Sequence, residues 1–137
     1  MELNYLGLIA ALTAFLSIWV GHVAVRKIEF ISPTIWLPTM IFATFGVLIE
    51  IFSLTTVNRP LSTVYGIAGI TLLWDGLEFT RQQNRVKKGH APANPNNPRH
   101  AKVLAEYKSA TTLDLLKRDP IGRSVSADEA IQLITNH

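Results

Sequence analysis

Four ionisable residues interrupt stretches of sequence that are otherwise apolar: His22, Glu50, Asp75 and Glu78. An imidazole or carboxylate in such a setting pairs, reaches an aqueous boundary, or marks a route for protons or ions. Asp75 and Glu78 are three residues apart and share a helix face, which Arg81 and Gln82 extend by another turn. The expected chemistry is a polar cluster of His22 with Asp75 or Glu78, joining two helices near a membrane surface. A proton or cation relay would also need polar groups through the middle of every stretch, and those middles are apolar. Haem ligation by His22 would need a second buried histidine, whereas His90, His100 and His137 all lie in a polar tail. No nucleophile, metal quartet or phosphate loop accompanies the cluster. The chain has no cysteine, which excludes disulfides, thiolate metal sites and thiol catalysis. The expectation is therefore a protein that is not an enzyme, with no metal and no cofactor.

These residues must be positioned by three apolar stretches, at about Leu3–Val25, Thr34–Leu54 and Leu61–Phe79. A hydrocarbon core about 30 Å thick takes roughly 20 helical residues, so each is long enough to cross it. A soluble three-helix core would keep a polar face on helices of this length, and the first two stretches have none. Hydrophobic residues are 48% of the 137, an ordinary share, but most of the charge lies after position 78. Glu2 is the only charge ahead of the first stretch, which is too long for a signal peptide. Pro33 suits the first turn of the second helix, and Pro38 can tilt it. Gly66, Gly69 and Gly76 on the third helix, with Gly7, Ala10, Ala11 and Ala14 on the first, predict close packing within the chain.

The fold class expected is all-α: an integral membrane three-helix bundle with a cytoplasmic tail of short helices. Lys and Arg fix the orientation. With the N-terminus outside, all of the 13 basic residues except Arg59 fall inside. The inner-interface set is Arg26, Lys27, Arg81, Arg85, Lys87 and Lys88. The pI near 9.5 follows from this bias and predicts no nucleic-acid partner. His22, Asp75 and Glu78 then occupy one inner-leaflet layer. Glu50, about 25 Å along the second helix from its inner start, is expected near the outer face.

The third helix is predicted to continue to Lys88 and to end at Gly89 as an αL cap. The next residues, 90–98, are a Pro/Asn-rich linker expected to be extended. Trp74, Glu78, Arg85, Val86, Lys88, Gly89, Pro92, Asn94 and Pro95 form a pattern that resembles DUF4491, a family of small bacterial membrane proteins of unknown function. His22, Lys27 and Glu29 fit the same resemblance, which covers roughly residues 4 to 98. Val23 and His90 depart from it, and the chain runs about forty residues further. The resemblance implies a topology and a bacterial inner-membrane location, and no activity.

The region 99–137 reads as a helical tail. Asn97 and Pro98 form a helix start, with Val103, Leu104, Tyr107 and Thr111 at helical spacing as far as about Thr111. Leu113, Leu115 and Leu116 follow, before the break at Asp119-Pro120. Ser126 to Glu129 is a capping box for a last short helix carrying Ala130, Ile131, Leu133 and Ile134. Such helices are too short to make a core of their own, so they must lie on the membrane, on the inner helix ends, or on another protein. The leading expectation is a non-catalytic accessory or scaffold subunit of a larger bacterial membrane complex. Its partners would be the bilayer, other membrane subunits and anionic lipid headgroups. The alternative is a small oligomeric transporter or channel using His22, Asp75, Glu78 and Glu50.

Overall fold

Three asparagines set where helices begin in the computed structural model, which describes residues 4–114 together with positions 128, 131, 132 and 135. The Asn4 side chain accepts from the Leu6 N–H and opens α1, Tyr5–Ile31. Asn58 accepts from the Leu61 N–H, with Pro60 in the first turn, and opens α3, Arg59–Lys87. Asn97 accepts from the Arg99 N–H and opens α4, Pro98–Glu106. Each side-chain oxygen satisfies a donor that the first helical turn would otherwise leave unpaired. α2, Trp36–Thr55, starts without a side-chain cap and carries Pro38 in its first turns. Among the described residues every regular element is helical.

α1 and α2 are long and apolar enough to cross a membrane, and only 11% of the most apolar window of each is buried. α3 is the central helix: α2 packs along one face, α1 along another, and α1 and α2 make little contact with each other. The α2–α3 seam uses small residues of both helices. A side chain on Gly46 would run into Leu73, and one on Gly76 would meet the Thr39 carbonyl and Ala43. Thr39 Oγ1 donates to the Gly76 carbonyl at 3.2 Å, and the hydroxyls of Ser53 and Ser62 each donate to the other's carbonyl, at 2.9 and 2.8 Å. Phe79, fully buried, meets Phe42 edge-on at 5.1 Å between ring centroids. Gly7 faces open space, so it has no part in close packing.

Among the described residues a cluster of buried apolar side chains forms where α3 meets the tail. α3 ends in a Schellman turn: Gly89 has φ +73°, its N–H donates to Val86 O, and the His90 N–H donates to Arg85 O. A side chain on Gly89 would strike the Ser109 carbonyl, so glycine is required there twice over. The chain then folds back and packs Ala91, Ala93 and Val103 against Val86, flanked by Leu104, Tyr107 and Ala110.

Three boundaries differ from the sequence expectation. α1 runs past Val25 and the Arg26-Lys27 pair to Ile31, because two exposed charges do not interrupt helical hydrogen bonding. Residues 90–97 are irregular but packed, with Ala91, Ala93 and Asn97 buried, so they are no free linker. α4 stops at Glu106, short of Thr111, because the following residues turn back: Ser109 Oγ donates to Lys87 O, and the Ala93 N–H donates to Thr111 O. The expected apolar positions Leu115 and Leu116, the break at Asp119-Pro120 and most of the last short helix lie outside the described residues. Asp128, Ile131, Gln132 and Thr135 within that last stretch are helical.

Candidate functional site

A helix leaves its last four carbonyls without intrahelical partners. At the end of α1 the Ser32 N–H takes Ile28 O, and the tail supplies most of the other partners. Arg99 donates from Nη2 to Glu29 O and from Nε to Ser32 O. Asn97 Nδ2 donates to Phe30 O at 3.1 Å and to Ser32 O at 2.9 Å, and Asn94 Nδ2 donates to Phe30 O at 3.2 Å. A guanidinium at a helix C-terminus also opposes the partial negative charge that gathers there.

The Glu29 carboxylate, 1% exposed, sits at the centre of this joint. Arg99 Nη1 donates to its Oε1 at 2.9 Å, and His100 Nε2 lies 3.0 Å from the same oxygen. His100 is fully buried, and its Nδ1 accepts from the Asn94 N–H at 2.9 Å. That bond assigns the tautomer: Nδ1 carries no proton, so Nε2 carries one and donates to Glu29. Phe30 closes over the imidazole edge-on, at 6.2 Å between centroids. Both ring nitrogens of His100 are engaged, and both side chains of the His100–Glu29 pair are buried. Its work is to hold the tail to α1.

The cluster read from the sequence divides differently. Asp75 is buried, with its carboxyl in the notch left by the missing side chain of Gly21, on the α1–α3 seam. His22 is the residue after Gly21, and it is exposed. Among the described residues no hydrogen bond or ion pair joins His22 to Asp75 or Glu78. Glu78 is instead held by arginines of its own helix, Arg81 at 2.8 Å and Arg85 at 3.4 Å, and Arg85 also donates to Gln82. Glu50 belongs to another seam and does not meet this layer: its carboxylate lies against Gly69 of α3. Among the described residues no three metal-binding side chains come together.

The basic set also separates. Arg81 lies over the Trp74 ring at 4.4 Å as well as on Glu78, and Lys87 lies over Tyr107 at 5.1 Å. Arg26, Lys27 and Lys88 are exposed and have no partner among the described residues.

Sequence reasoning missed Glu29, Arg99 and His100 as a unit, because they are separated by about seventy positions. The one local signal was the Asn97-Pro98 helix start, which placed Arg99 and His100 in a first turn without saying what that turn would meet. The positions that carry the family pattern acquire roles. Glu78 and Arg85 pair, Val86 is core, Gly89 turns the chain, and Asn94 caps α1.

Residues 4–97 match the family described as a domain of unknown function, DUF4491. No curated protein and no solved structure matches the chain.

Proposed function

Because this chain belongs to the DUF4491 family, whose description carries no activity, we propose its role from the geometry: a non-catalytic accessory or scaffold subunit of a larger bacterial membrane assembly. In this reading α1, α2 and α3 all cross the inner membrane, with the tail on the cytoplasmic side. The observation that carries it is the layered arrangement, with α1 and α2 flanking α3. Large apolar side chains on both outer helices, among them Phe15, Trp19, Trp36 and Phe45, are more than half exposed. Such surfaces suit lipid and partner helices, while the tail joint braces the end of α1 as a fixed platform. The buried carboxylates Glu29 and Glu78 are both engaged in ion pairs within the chain, which supports a structural role for them.

Purification of the tagged full chain from its own membranes in mild detergent tests the reading. A stable set of co-purifying membrane subunits, in fixed ratio and retained at low detergent, is the expected result. Recovery as a lone monomer overturns it.

A second reading, a small oligomeric transporter or channel, draws on Asp75 and Glu50, which sit on the helix seams with no ion pair among the described residues. Purified protein in liposomes that carries no ion or proton flux above empty vesicles, or the same flux with Glu50→Gln and Asp75→Asn, ends that idea.

A further inference from the structure

The unpaired basic residues of α1 lie beside a groove of about 730 Å³ between the end of that helix, α3 and the returning tail. α1 contributes Val23, Arg26, Lys27 and Ile31 to its wall, α3 contributes Gln82, and Pro92 closes it from the tail side. We propose that this groove binds the phosphate headgroup of an anionic phospholipid, with Arg26 and Lys27 as its ligands. The inference rests on the membrane reading above and adds a named lipid site to it.

Three observations carry it. Leu12, Leu16, Trp19 and Val23 are exposed and recur every three or four residues, forming an apolar stripe that runs directly to Arg26 and Lys27. An acyl chain lying along that stripe places its phosphate at the two cations. Arg26 and Lys27 also lack partners among the described residues, whereas Arg81, Arg85, Lys87 and Arg99 are engaged within the chain. Finally, the Glu29 charge and the carbonyls that would repel an anion are already answered. Glu29, on the groove wall, is paired with Arg99, and the carbonyls of Glu29, Phe30 and Ser32 are covered by Arg99, Asn94 and Asn97. Asp114, also on the wall, has an interaction of its own. A polybasic protein surface would bind lipid diffusely. Here two cations share a bounded groove at the top of an apolar track.

The test uses the full-length chain in detergent and native mass spectrometry with added phosphatidylglycerol or phosphatidylcholine. Membrane-fraction recovery of the wild type, resistant to carbonate washing, is measured first; its failure would sink the membrane reading itself. The proposal expects phosphatidylglycerol to be retained over phosphatidylcholine. Arg26→Gln with Lys27→Gln should weaken retention by about fivefold per charge, roughly twentyfold to thirtyfold together. Arg26→Lys with Lys27→Arg should restore it, and Lys88→Gln, an unpaired cation outside the groove, should change it less than twofold. Equal retention of the two lipids overturns the proposal, as does a loss with Lys88→Gln as large as that of the double variant. Displacement of the lipid by millimolar inorganic phosphate would overturn the lipid as occupant and leave a free-phosphate site. All the substituted side chains are exposed, so the fold, checked by helical circular dichroism, is expected to be unchanged.

Discussion

Replacing Arg99 by alanine strips the tail joint of its cation and leaves Glu29 buried with His100 as its only side-chain partner. Glu29 is 1% exposed and the Arg99 side chain 12%, so solvent does little to screen the pair. Removing one partner of such a pair costs about 3–5 kcal/mol, because the remaining charge stays desolvated. Two carbonyl contacts at the end of α1 go with it. The cost cannot exceed the free energy of docking, since an undocked Glu29 is back in water. The variant therefore opens the joint rather than unfolding the helices. The absence of native cysteine gives a clean assay. Ala93→Cys places a single thiol at a position 2% exposed, in the small core that opening would expose. Maleimide labelling in detergent then reports the opening equilibrium. Adding Arg99→Ala should raise its rate by roughly 150-fold to several thousand-fold, at a tenfold change for each 1.4 kcal/mol. Arg99→Lys keeps the charge but loses the planar fork that reaches Glu29 and Ser32 together, so it should fall between. A rise of less than about fivefold with Arg99→Ala would refute the claim that this joint holds the tail.

Gly21→Ala should destabilise the α1–α3 seam, because the new methyl group occupies the position of the Asp75 carboxyl, whereas Gly7→Ala should be neutral or slightly stabilising; thermal unfolding in detergent compares them. Gly89→Ala should also raise labelling of Ala93→Cys, by about tenfold or more, since a left-handed φ costs about 1–2 kcal/mol before the clash with Ser109 is added. Phe79→Ala should cost about 3–5 kcal/mol in unfolding free energy, for loss of a fully buried ring against Phe42, and a shift below about 1 kcal/mol would show that the seam repacks freely.

The Asn97 cap, the αL turn at Gly89 and the apolar lengths of α1 and α2 were legible in the sequence, because each depends on residues a few positions apart. Capping is settled within one turn, and the wish of a long apolar helix for a membrane is a property of its composition. Counting rise per residue also leads to the expectation of a shared layer of His22, Asp75 and Glu78. Counting could not say which partner each group takes. Glu78 had arginines one and two turns away on its own helix, and Asp75 fitted a glycine notch on α1, so neither forms a hydrogen bond or ion pair with His22. The fate of residues 90–98 needed the tertiary structure most. Proline and asparagine there exclude regular helix and strand, which reads as a linker in one dimension. In three dimensions the same asparagines are donors to carbonyls that a helix sixty-odd residues earlier leaves open. Sequence fixes that those carbonyls and amides need partners; only the fold-back at Gly89, which brings them within 3.2 Å, decides that they are each other's.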